Sequence, residues 1–211
     1  MAIFVKLISI ATIFFSVVVG LILYYWLSSS NKEEKKQQSE EVINFLMNFI
    51  IFMWIGKIIM NFPLFIKDPL AVLAYPADST SFYFAIIGSI LRLVYQRKKI
   101  QLPIFIAALL PVILAASFMF EFIQFLQDSN LYSLVNMIFY MFLLSIFYYL
   151  NERMPALILF LILLMSWFVG TMMMFFTQPY VLFLGYLLSL PFILIFFLFN
   201  VGVLIYIKIK R

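Results

Sequence analysis

Ser117, Glu121, Gln124 and Asp128 stand at i, i+4, i+7 and i+11 in a run of Phe, Ile, Leu and Met. On a helix they form one polar stripe. An ionised side chain at the centre of a bilayer costs on the order of 3 kcal/mol or more, so Glu121 must face the protein interior, lie near an interface or hold a proton. Lys57, with Asn61 one turn further on, carries the opposite charge in another apolar run. A carboxylate and an ammonium in such surroundings can pair and fix helix register, carry a proton or ion, or contact a polar headgroup. Opposite sign and similar depth predict a Lys57–Glu121 pair, and the alternative is that each snorkels outward separately. A register role weighs more than a catalytic one.

Other chemistry is excluded by what is missing. The chain has no Cys and no His, which removes disulfides, thiol nucleophiles, the commonest metal ligand and the usual proton shuttle near neutral pH. No glycine-rich phosphate loop, zinc spacing or Ser-His-Asp set is present, so no metal and no cofactor is expected. Of 211 residues 66% are hydrophobic and 11% charged, and the mean hydropathy is +1.13, which points to a polytopic membrane protein. The net charge of +5 then matters by position, and no nucleic-acid partner is implied. The 27 Phe read as lipid contact and interhelical packing before they read as a ligand platform.

These residues need membrane-crossing helices to hold them. A hydrocarbon core of about 30 Å takes roughly 20 helical residues. Runs of that kind are read at about 4–27, 42–63, 102–126, 131–150, 156–177 and 180–207, with a shorter one at 81–96 ending near Arg92 and Arg97. The expected fold is all-α: a single polytopic integral membrane domain, 1–211, of seven transmembrane helices. The first run is expected to be a retained helix, because its apolar stretch is too long for a signal peptide and no A-x-A site follows. With the N-terminus outside, Lys32, Lys35, Lys36, Arg92, Arg97, Lys98, Lys99, Arg153, Lys208, Lys210 and Arg211 fall on the cytoplasmic side, eleven of the fourteen basic residues. Lys6 and Lys67 fall outside. This excess predicts an N-out, C-in orientation.

Segment 28–41, "SSSNKEEKKQQSEE", reads as a solvated cytoplasmic loop or as a helical extension with i,i+4 ion pairs. Segment 64–80, with Pro69 and Pro76 and with Pro63 just before it, reads as an arm lying along the outer interface. Pro111 and Pro191 are expected inside helices, where each would cause a bend. Gly56, Gly88, Gly170 and Gly185 are expected to allow close helix approach, and Tyr24, Tyr25 and Trp26 to anchor a helix end at the interface.

The order of these elements resembles the prolipoprotein diacylglyceryl transferases, seven-helix bacterial enzymes that move a diacylglyceryl group from phosphatidylglycerol to a lipoprotein cysteine. "WIGKIIMNFPLFIKDPLAVL" (54–73) is similar to that family's second helix and first outer arm, and "STSFYFAIIGSILRLVYQRKKI" (79–100) to its Ser-Phe-His-Gly-Gly segment and the helix after it. "LLPVILAASFMFEFIQF" (109–125) is similar to the helix ending in an Arg-Ile-Gly-Asn-Phe signature, and "LYSLVNMIFYMFLL" and "GYLLSLPFIL" to the fifth and seventh helices. In this register Ser81, Phe82, Ile87 and Gly88 match. Tyr83 stands at the family's histidine, Phe84 and Ala85 at its two glycines, Glu121 at the signature arginine and Gln124 at the asparagine. The outer head domain is replaced by "QDSN" (127–130), and the sixth helix has no arginine beside its glycine.

An arginine suits an anionic headgroup through charge-assisted hydrogen bonds, whereas Glu121 repels it. The resemblance, with these replacements, implies a non-catalytic protein of the bacterial cytoplasmic membrane that binds membrane phospholipid, or a lipoprotein or other membrane-protein partner. Two alternatives stand beside it. One is an active transferase using phosphatidylglycerol, with Tyr83 as replacement acid or base and Lys57 as headgroup contact. The other is a small transporter or channel component. The polar intramembrane cluster to be located is Lys57, Asn61, Ser117, Glu121 and Gln124.

Overall fold

The computed structural model describes residues 2–74, 77–96 and 100–209, with side chains described from residue 8 to 73 and up to 206. Pro76, Arg97, Lys98, Lys99, Lys210 and Arg211 lie outside the described residues, and Lys6 and Lys208 outside the described side chains. In order, the elements are α1 (Ala2–Leu27), α2 (Lys32–Met60), α3 (Phe62–Lys67), α4 (Pro69–Ala74), α5 (Ser79–Gln96), α6 (Leu102–Asp128), α7 (Leu131–Leu150), α8 (Ala156–Thr177), the strands β1 (Val181–Phe183) and β2 (Tyr186–Leu188), and α9 (Leu190–Ile209). Five helices are long and apolar enough to cross a membrane: α1 over Ile8–Leu27, α2, α6, α7 and α8. With several such helices in one chain, the protein has the makings of a multi-pass membrane protein.

Three expectations are corrected. Segment 28–41 is a loop only over 28–31, because α2 starts at Lys32 and takes the rest as the helical extension. Glu33 and Glu34 lie in its first turn, where they oppose the helix dipole, and the Lys, Gln and Glu that follow are good helix formers. Gln37 also donates to Glu41 at 3.4 Å, one turn away. The last span does not begin at 180. Val181–Phe183 pairs antiparallel with Tyr186–Leu188, and both loop residues, Leu184 (φ 48°) and Gly185 (φ 83°), have positive φ, as a two-residue type I′ hairpin requires. Gly185 thus serves a turn, and a Cβ there would also stand 3.3 Å from the Phe120 ring of α6. Pro191, third, is not inside a helix but second in α9, in the first turn, where a missing N–H costs nothing. Pro111 is inside α6 as expected, and buried.

The segment expected to form an arm consists of two short helices, α3 and α4. Pro63 lies in the first turn of α3, and Asp68 Oδ1 accepts the Ala71 N–H at 3.0 Å to hold the start of α4. After that turn, Asp78 caps α5.

Helix α6 is the axis of the bundle, buried against α1 on one side and α7 on another. Lipid tails are as apolar as Leu, so helices associate in a membrane through close packing of small residues. Thr12, Ser16 and Gly20 recur every fourth residue along α1, and a Cβ on Gly20 would stand 2.5 Å from the Val112 carbonyl oxygen of α6. That approach is closed to any other residue. At one end of the bundle Tyr24, Val42, Phe105 and Ile106 form a core joined by Leu93 and Leu157, while Phe82, Val181, Leu188 and Phe192 form another at the hairpin end. Helix α5 contributes to both, through Leu93 and Phe82, so it runs the length of the bundle. Ser29 Oγ donates to Glu152 Oε1 at 3.1 Å, which places the α1–α2 and α7–α8 links at the same end.

Candidate functional site

Glu121 is 2% exposed, and its carboxyl accepts a hydrogen bond from Asn136 Nδ2 of α7 at 3.2 Å. Asn136 Oδ1 in turn accepts from Gln178 Nε2, the residue that ends α8, at 3.3 Å. Ser133 also lies beside the carboxyl. The local sequence explains the meeting: Asn130 Oδ1 accepts the Tyr132 N–H at 3.0 Å and sets the start of α7, so Ser133 and Asn136, three apart, share the face toward α6. All four side chains are buried. Both amide donors point along the chain toward the carboxyl, so three helices are tied by one hydrogen-bond series.

The rest of the expected stripe does not join this series. Ser117 Oγ donates back to the Ile113 carbonyl at 2.9 Å, Gln124 is half-buried and Asp128 is exposed. Asn136, Ser133 and Gln178 were not anticipated. The signal was a polar pair three residues apart within an apolar helix, opposite a lone carboxylate.

Lys57 belongs to a different set of contacts. Its Nζ donates to the Leu73 carbonyl of α4 at 3.3 Å, and the acid close enough to act on its charge is Asp78. Among the described residues no ion pair joins Lys57 to Glu121, so that expected pair is corrected. The α3–α4 segment folds back over α2 and supplies the Leu73 carbonyl to Lys57, while α7 takes the carboxyl of Glu121. Asn61 Nδ2 donates to the Lys57 carbonyl at 3.0 Å and finishes α2. Asp78 Oδ1 accepts both the N–H (2.9 Å) and the hydroxyl (2.5 Å) of Ser81. Partial burial pushes the Asp78 carboxyl upward, but these hydrogen bonds, with one from Thr80, outweigh it and hold the group below the ordinary carboxylate range.

Tyr83 acts as a clasp. Its hydroxyl donates to the Leu187 carbonyl at 2.6 Å and accepts the Ser189 N–H at 2.8 Å, while its ring stacks on Phe192 with centroids 3.8 Å apart. The single phenolic proton is thereby committed to the backbone between β2 and α9.

Between α2, α5, α6, α8, the hairpin and α9 lies an apolar cavity of about 310 Å³. That is the lower end of the size range of ligand pockets. Its wall covers Phe82–Val94 on α5, Leu102–Leu114 on α6 and Phe192–Leu204 on α9. At about 1.5 Å per residue each stretch is about 18 Å long, so the space is long and narrow. Among the described residues no Asp, Glu, Lys or Arg lines it, and the polar side groups there are Ser89, Asn200 and the indole of Trp167.

No protein-family model, curated protein or solved structure matches the chain, so the cavity and the polar series are read on their own geometry.

Proposed function

We propose that the chain is a non-catalytic multi-pass protein of the bacterial cytoplasmic membrane that holds one hydrocarbon chain of a membrane phospholipid between its helices. The observation that carries this reading is the long, apolar cavity: an elongated apolar space suits a methylene chain, which fills it by van der Waals packing as helices pack on one another in lipid. Within this proposal α5 and α9 join the five long helices as spans, giving seven, N-out and C-in. Two further features favour a scaffold over an enzyme. The Tyr83 proton is bound to backbone, and Glu121 has an amide partner, Asn136, instead of a reactive neighbour. The diacylglyceryl transferase-like fold stays part of the proposal on the strength of the residues around Ser81-Phe82 and the outer arm.

Trp167 lines the cavity, whereas Trp26 and Trp54 are exposed. In a Trp26→Phe, Trp54→Phe protein, a phospholipid with a dibrominated acyl chain should quench Trp167 fluorescence saturably, near one lipid per protein. Ile113→Phe, which fills the cavity wall, should abolish the saturable part. Quenching that only rises in proportion to lipid, with or without Ile113→Phe, would count against the reading.

A further inference from the structure

Helices α5 and α9 leave the hairpin end side by side. Tyr83 stacks on Phe192 with ring centroids 3.8 Å apart. From that pair Ile87, Ile90 and Val94 follow on α5, and Phe196, Phe199 and Val203 on α9, each set at i+4, i+7 and i+11. These spacings keep each set on one helix face, so the two faces are turned toward each other. They do not close. Among the described residues α8 is the only helix on which α9 packs closely, with Phe168 and Phe197 stacked at 4.3 Å, while α5 packs closely on α2. A Cβ built on Gly202 would meet nothing within 4 Å. The seam between α5 and α9 is therefore pinned at the hairpin and loose away from it.

The two ends of the cavity differ in the same sense. At the hairpin end its wall is formed by Phe82, Leu188 and Phe192, all buried, and Phe82 is backed by Tyr186, stacked at 4.5 Å. At the other end Ile90, Val94, Val203 and Leu204 are only half-buried. An end sealed by packed rings takes the methyl terminus of a chain, whereas a headgroup there would lose its water and find no partner.

We infer that the lipid chain enters sideways through the α5–α9 seam, with its methyl end toward the hairpin, and leaves its headgroup at the end where α5 finishes. This inference rests on the lipid-chain reading above and gives the bound lipid a direction. In the N-out arrangement the hairpin lies at the outer side, so the lipid comes from the cytoplasmic leaflet.

The test uses the Trp167 reporter protein, because Trp167 lies in the hairpin half of the cavity, its ring centroid 6.3 Å from that of Phe183 and 5.6 Å from that of Phe196. Phospholipids with two bromines near the methyl end of one acyl chain, at mid-chain or next to the ester are compared at saturation. Saturable quenching should be strongest for bromines near the methyl end and weakest for those beside the ester. The opposite order, or equal quenching by all three, would overturn the direction while leaving the cavity a lipid site. If none of the three quenches saturably, the lipid-chain reading itself fails.

The route is tested in the same protein, which has no native Cys, by introducing Val94→Cys and Val203→Cys and joining them with a short bis-maleimide before lipid is added. The joined protein should no longer exchange lipid, while each single-cysteine protein, treated alike, exchanges as its parent does. Exchange at the parental rate after joining, or a pair that cannot be joined, would overturn the seam as the entry.

Discussion

Glu121 shows how an intramembrane carboxylate can be kept without a counter-ion. It accepts an amide hydrogen bond from Asn136 of a neighbouring helix, and the Asn136 oxygen in turn accepts one from Gln178, so the carboxyl is held within a continuous series. Interhelical hydrogen bonds of this kind are worth about 0.6 kcal/mol on average in double-mutant cycles, reaching about 1.7. A cycle of Glu121→Leu and Asn136→Leu in heat denaturation should therefore give a coupling of about 1 kcal/mol. The corresponding Lys57→Met, Glu121→Leu cycle should give none. The sequence alone marked Glu121 as the residue to explain, because a lone acid in a run of Phe is expensive wherever it goes. Its partners were hidden, since α7 and the end of α8 come to it through packing that no spacing along α6 specifies. The same holds for Lys57: depth and sign suggested Glu121, and the fold of the segment from α3 to the start of α5 offered Leu73 and Asp78 first.

At the level of elements, capping decides where the shorter helices begin. Asp78 accepts two hydrogen bonds from Ser81 at the start of α5, and replacing such a cap by Ala costs about 1 kcal/mol. The sign of its pH dependence follows from the lowered pKa of the folded state. Its stabilisation is complete above the unfolded-state pKa, about 3.9, and is lost as pH falls through the lower folded value. Asp78→Ala should thus lower the melting temperature at pH 7 and make little difference once pH is well below about 4. Asp78→Asn, which caps without titrating, should flatten that dependence. Melting curves of the three proteins across pH 3–7 check it, and a constant Asp78→Ala penalty at all pH values would contradict it.

Helix positions were largely readable, because uninterrupted apolar runs of this length have few other uses. The hairpin was not. "VLFLGYLL" is as apolar as a span, and only the Leu184-Gly185 turn with Pro191 behind it separates strand from helix. Nor was the small-residue face of α1, where Thr12, Ser16 and Gly20 do the work of a glycine pair without containing one.

For the whole molecule, two ends and a space between them organise the account. The Ser29–Glu152 hydrogen bond puts the first link and the α7–α8 link at one end, as the proposed N-out arrangement requires. Because the chain has no Cys, a single cysteine at Ser29 or Asp128 reports its side without background. An impermeant maleimide should label Asp128→Cys on intact cells and Ser29→Cys only after the cells are opened, and the reverse pattern would invert the orientation. The central claim is that the space holds a lipid chain. Native mass spectrometry of the protein released from mild detergent tests it most directly. The wild-type chain and Phe14→Trp, altered at an exposed position, should each carry one lipid adduct, and Leu110→Trp, altered in the cavity wall, should carry none. Bare wild-type protein, or adducts equal in all three, would contradict the account.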